Sequence, residues 1–204
     1  NLLKLSSVLA FALVLAWTCV GQVGLQSPGF VSRLSVSQAT ANCETLKDSN
    51  TDLTGVVGQG VGNVLAQTYL ATKFTAGSSY NARAIEFLIG KGGATGLPTG
   101  NVFAYVWSDS SGPSTLLAQS GAVDSTTLPD VGTTNYIKFT FDSPASLSSG
   151  TIYWIGLSHT NVNANNYVRW LTPSAFVAGG VYSATNGSVW ASAVSKRANF
   201  KTYS

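Results

Sequence analysis

Two stretches in the second half of the chain leave little choice of backbone. In "AIEFLIG", Ile85, Phe87 and Ile89 share one face, with Glu86 among the residues opposite. In "NYIKFTFD", Ile137, Phe139 and Phe141 alternate with Tyr136, Lys138, Thr140 and Asp142. A period of two is that of a strand with one buried face; a helix would scatter these residues around its axis. "GTIYWIGLS" is apolar at both parities, which predicts a central strand covered on both sides. Further strands are predicted over 67–74, 101–107, 115–120, 167–171, 180–183, 189–193 and 198–203. Turn signals separate them: "GLPTG", "SSGPS", "LPDVG", "LSSG" and "TNGS". Many short strands with no helical period between them predict a mainly β domain over 65–204, an antiparallel β-sandwich of jelly-roll-like type.

The other end of the chain is different. "LLKLSSVLAFALVLAW" is apolar nearly all round, with no Pro or Gly before Gly21. A helix over 1–21 is predicted, and it needs burial on every side. Three readings compete. A secretory leader fits Lys4 and the apolar core, but "AWTCVGQ" offers no clear small-x-small cleavage site. A membrane span falls short of the roughly 20 residues that a bilayer usually needs. A retained assembly helix is buried by neighbouring copies of itself. On that reading Leu2, Leu5, Val8, Leu9, Phe11, Leu13, Leu15 and Trp17 form the assembly interface. Residues 22–64 mix Gly, Ser, Asn and Thr with isolated apolar residues, and predict a connector with one or two strands or a helical turn. Within it "GQGVGN" invites a dinucleotide-loop reading. That reading fails, because the fingerprint needs glycine where Asn63 stands and no βαβ unit follows.

The apolar N-terminal run resembles that of type IV pilins and their archaeal relatives over roughly the first 25 to 30 residues. Bacterial members typically carry a glutamate where this chain has Leu5, which leaves an archaeal-like or an unrelated filament subunit. The resemblance implies a non-enzymatic structural protein at the cell surface, a subunit of an extracellular, pilus-like filament. Its partners would be identical subunits in a helical homopolymer, with the membrane holding the helix before assembly. Residues 65–204 resemble the exported β-sandwich modules called choice-of-anchor domains. The likeness is carried by "QTYLATKFTAGSSYNARAIEFLIGKGGATGLPTGNVFAYVWSDSSGPSTLLAQSG" and "YIKFTFDSPASLSSGTIYWIGLS". It implies an extracellular module and brings no catalytic residues. The alternatives are a secreted or membrane-anchored glycan-binding adhesion module, or a viral surface protein.

Composition fits an exported chain. Charged residues make up 9% of the sequence, against about 25% in a typical soluble domain. The net charge of +3 is scattered, and only Lys196, Arg197 and Lys201 lie near one another, so nucleic acid is not an expected partner. The two cysteines, Cys19 and Cys43, permit one disulfide; Cys19 equally suits a small buried hydrophobe at the end of the apolar run. Without neighbouring histidines they predict no metal site, and no D-x-D-x-D run suggests calcium.

Little in the sequence points to catalysis, and no cofactor is expected. His159 is the single histidine, expected on the surface or in a loop, and no G-x-S-x-G elbow accompanies it. Glycan binding has more support, because sugar rings stack on aromatic faces while amides hold their hydroxyls. Tyr167, Trp170 and Trp190, with the "NVNANN" loop, are the candidate platform. Trp107 and Trp154 lie in predicted strands and are expected in the core. Asn186 heads an Asn-Gly-Ser glycosylation sequon, although an Asn-Gly pair also suits a hairpin turn.

Overall fold

The computed structural model describes residues 44–51, 53, 57–62, 68–92, 98–130, 135–161, 163–172, 181–184, 187–194 and 198–204. The chain divides between Cys43 and Glu44. The predicted helix over 1–21, its interface residues and the Cys19–Cys43 pair lie outside the described residues, as does Asn186.

Beyond Glu44 the chain is built of strands: β1 (Leu46–Asn50), β2 (Val57–Val61), β3 (Tyr69–Thr75), β4 (Tyr80–Gly92), β5 (Asn101–Asp109), β6 (Pro113–Gln119), β7 (Val123–Asp124), β8 (Asn135–Leu147), β9 (Ile152–His159), β10 (Tyr167–Thr172), β11 (Val181–Ala184), β12 (Trp190–Val194) and β13 (Phe200–Tyr203). One 3-10 turn, Ser125–Thr127, follows β7, and the Asp124 carboxylate caps it by accepting from the Thr126 amide at 2.9 Å. The pairings are antiparallel, in two sheets.

The first sheet is organised along β4. One edge of β4 pairs with β8, from Tyr80↔Leu147 to Ile89↔Asn135. The other edge is shared end to end: β13 takes Ala84 to Phe87 and β10 takes Ile89 to Gly92. At the joint the Asn199 carbonyl accepts the Leu88 amide at 3.5 Å and the buried Trp170 indole at 3.0 Å. β1 then pairs with β13, and β2 with β10. The second sheet runs β12-β11-β3-β9-β5-β6, with β7 also on β5. β9 is central there and is buried from Tyr153 to His159, as its two-sided apolar pattern predicts.

The inward faces interleave into one core. Leu70 and Phe74 of β3, Val102, Ala104 and Val106 of β5, and Ile155 and Leu157 of β9 meet Ile85, Phe87 and Ile89 of β4 and Phe139 of β8. Phe87 sits edge-on to Trp170 with ring centroids 4.6 Å apart, and Phe74 contacts Phe200 at 5.3 Å. Such aromatic pairs contribute about 0.5–1.5 kcal/mol beyond the area they bury. The "LSSG" signal is a tight turn from β8 to β9, where Thr151 N–H bonds the Ser148 carbonyl at 3.2 Å. Its third residue is Gly150 at φ +74°, a conformation that favours glycine.

The sandwich begins earlier than the sequence predicts. Residues 44–64, read as connector, hold β1 and β2, and both are integral to the first sheet. Val61 at the end of β2 is fully buried. Asp48 in β1 accepts from the Tyr80 hydroxyl at 2.8 Å and from the Gly77 amide at 3.0 Å, which ties β1 to the start of β4. The reason is chemical: Gly58 and Gly60 interrupt "VGQGV", and "LKDSN" has no β-branched or aromatic residue, so their strand character comes from their neighbours. "GQGVGN" is therefore largely edge strand, with no nucleotide loop in it.

Candidate functional site

The predicted platform is not assembled. Trp170 is fully buried between the sheets, so neither of its ring faces is available to a sugar; this corrects the expectation. Tyr167 projects from the opposite face of the same strand, on the outer side of the first sheet. Trp190 belongs to the second sheet. The side chains of Asn161, Asn163 and Asn166 in the asparagine loop make hydrogen bonds within the protein. Asn161 and Asn166 both donate to the Thr99 hydroxyl, at 2.7 and 3.0 Å, and the Asn166 side-chain oxygen Oδ1 accepts the Thr99 amide at 2.7 Å. They brace the loop before β5.

His159 also departs from expectation. It ends β9 at the same parity as Ile155 and Leu157 and is fully buried. Its Nε2 lies 3.0 Å from the Thr99 carbonyl, and Nδ1 has no partner among the described residues. Burial lowers its pKa, opposed in part by the Thr99 hydrogen bond. The imidazole is therefore held neutral, with Nε2 donating. The neighbouring hydroxyls and amides of Thr160, Asn101, Asn161 and Asn166 are engaged with one another or with Thr99, so the arrangement is that of a structural plug at one end of the sandwich.

The charges of the first sheet's outer face largely satisfy each other. Glu86 accepts from the Tyr203 hydroxyl at 2.8 Å and from Lys201 at 3.3 Å, and Lys201 lies 3.8 Å from the Tyr136 ring centroid. Lys138 pairs with Glu44, and Lys91 with Asp130 at 3.3 Å. Among the described residues no group of three or more His, Cys, Asp or Glu gathers at metal-binding spacing.

The outward side of the second sheet carries an aromatic surface feature. In β5 the aliphatic face is Val102, Ala104 and Val106, and the opposite face is Phe103, Tyr105 and Trp107. These aromatics join Trp154 of β9, Ala71 and Tyr69 of β3 and Trp190 of β12 in a second apolar cluster, so Trp107 and Trp154 are buried in this outer layer and not between the sheets. Trp190 stands edge-on to Trp107 with centroids 5.2 Å apart. Three strands, β11, β3 and β9, separate their strands in the hydrogen-bonding order. At about 4.8 Å per strand step, a flat sheet would hold them roughly 19 Å apart. The second sheet must therefore roll over its own outer face.

The roll makes a concavity. Tyr105 and Trp107 stack at 5.1 Å and 20°, and Tyr69 approaches Tyr105 at 5.6 Å. The Trp154 indole donates to Asp109 at 2.6 Å. The Tyr105 hydroxyl is 2.9 Å from Ser158 Oγ, and burial pushes its pKa up to about 12. A cleft of about 230 Å³ opens between this aromatic floor and β6, lined by Tyr69, Tyr105, Trp107, Ser114, Leu116, Gln119 and Gly187. Of the residues singled out from sequence, Trp107, Trp154 and Trp190 belong to the cluster beneath it. The signal that identifies the others is the all-aromatic parity of "VFAYVW", which marks a face needing cover of its own.

No protein-family model matches the chain, and no curated protein aligns with it significantly.

Proposed function

We propose that this chain is a non-enzymatic structural protein of the cell exterior, a subunit of a pilus-like surface filament. Its head is a jelly-roll-like sandwich, and its N-terminal apolar helix packs against those of identical subunits after a period in the membrane. The observation that carries the reading is the all-round apolar stretch Leu2 to Trp17, joined to a domain that divides from it between Cys43 and Glu44. A helix apolar on every side is stable only inside a bundle or a bilayer. The head supports the reading through its surface chemistry. Its charges are few, and three ion pairs hold six of them locally, so contacts between heads are weak beside the burial of several large apolar side chains per subunit, each worth about 1.5–3 kcal/mol.

The test is Leu13→Asp in the full chain. A carboxylate in the middle of the helix has no partner in a bundle of identical helices. The native chain should give ordered filaments by negative-stain microscopy and sediment at high speed. The variant should remain in the supernatant with its β-type circular dichroism and melting transition unchanged. Normal filaments from Leu13→Asp, or monodisperse particles from the native chain, overturn the proposal.

A further inference from the structure

We propose that the rolled outer face of the second sheet is a binding cleft for a neutral saccharide, taking one pyranose ring of a surface polysaccharide against the half-buried Tyr69, with the buried Tyr105 beneath it. The cleft lies on the opposite side of the sandwich from Tyr167 and makes no use of Trp170.

Three observations carry it. First, the lining combines aromatic rings with uncharged hydrogen-bonding groups and, among the described residues, no Lys, Arg, Asp, Glu or His. A phosphate, a sulfated sugar or an acidic peptide would find no counter-charge there. A purely apolar ligand would leave the Gln119 amide and the Ser114 hydroxyl facing it without partners. A pyranose presents what this lining complements: a face of C–H groups for the rings and an equatorial belt of hydroxyls for amide and hydroxyl groups. Second, the side chains of Ser114 and Gln119 are exposed and make no hydrogen bond among the described residues. Gln119 stands directly across from Tyr105 in the β5–β6 pairing, so its amide and the Tyr105 ring share a face. Third, the size is selective. Pockets for drug-sized ligands run from about 300 to 1,000 Å³, and this one is about 230 Å³, which suits a single ring with its neighbours projecting to solvent.

The concavity itself depends on the roll of the sheet. Trp190 on Trp107 closes the β12 side, and Leu116, 49% exposed, stands at the β6 side. Gly187 keeps the Tyr69 ring uncovered between them: a Cβ there would stand 3.3 Å from that ring. A flat protein–protein contact would call for a broad apolar patch. Among the described residues, the large exposed apolar side chains, Leu46, Leu53, Leu116, Ile152 and Val189, include only one residue of the cleft lining.

The test uses the full chain on a printed array of neutral plant, microbial and animal oligosaccharides, followed by titration of the strongest neutral hit with tryptophan fluorescence as the readout. Tyr69→Ala and Gln119→Ala should each weaken binding at least tenfold, while Tyr167→Ala on the other sheet binds as the native chain does. Each variant is checked by its melting transition. If Tyr69→Ala fails to fold, the exposed Gln119→Ala decides. The proposal is overturned if no neutral glycan binds, if only acidic glycans bind, if Gln119→Ala binds undiminished, or if Tyr167→Ala loses as much affinity as the cleft variants.

Discussion

Removing residues up to Val61 tests whether the stretch read as connector belongs to the sandwich. Two fragments serve, one beginning at Glu44 and one at Gly62. The shorter lacks β1 and β2. β2 faces β10 in five residue pairs, from Val61↔Val168 to Val57↔Thr172. An antiparallel ladder averages about one hydrogen bond per facing pair, and at about 0.5–1.5 kcal/mol net per bond the β2 ladder contributes roughly 2.5–7.5 kcal/mol. Val61 is fully buried and adds about 1.5–3 kcal/mol. The loss of roughly 4–10 kcal/mol is most or all of a typical domain's 5–15 kcal/mol stability. Deleting β1 also takes the Asp48 carboxylate from the Tyr80 hydroxyl and the Gly77 amide. Differential scanning calorimetry at matched concentration is the assay. The Glu44 fragment should melt cooperatively. The Gly62 fragment should melt at least about 8 °C lower, taking about 2–4 °C per kcal/mol for a domain of this size, or show no cooperative transition. If the two melt within about 5 °C of each other, β1 and β2 are accessory and the energetic argument fails.

Two further outcomes follow from buried groups. Trp170→Ala removes a fully buried ring that packs on Phe87 at 4.6 Å and bonds the Asn199 carbonyl; it should cost about 3–5 kcal/mol in urea denaturation, with glycan binding by the folded fraction unchanged. For His159, burial holds the folded pKa below the ordinary value of about 6.5, so below that pH the unfolded chain binds a proton that the folded chain resists. Stability should be full above about pH 6.5 and decline as the pH falls towards the folded value; the melting temperature should drop over that range, and His159→Gln should flatten the slope between pH 6.5 and 5.

The alternation of Ile85, Phe87 and Ile89, and of Ile137, Phe139 and Phe141, was legible because a strand's two faces meet different surroundings. It identified β4 and β8 and their inner faces from sequence, and the unbroken apolar run identified β9 as central. Turn chemistry was equally local: Gly150 adopts a left-handed conformation that "LSSG" announces. β1 and β2 were not legible as part of the domain, because Gly58, Gly60 and Lys47 have no strand preference and become strands only beside β10 and β13.

The candidate site depended still more on tertiary structure. Tyr167, Trp170 and Trp190 look alike in sequence as strand aromatics, but one lies outside the first sheet, one between the sheets and one on the rolled outer layer of the second. Parity along a strand says which residues share a face; it does not say which face is covered, or by what. The cleft arises because β12 curls back until Trp190 meets Trp107 across three intervening strands. His159 shows the same limit: its parity places it inward, and only the end of the sandwich, with the Thr99 carbonyl beside it, makes that position dry. The local steric and hydrophobic preferences of each strand are written in short stretches of sequence, whereas sheet order, roll and enclosure come from contacts between residues far apart in the chain.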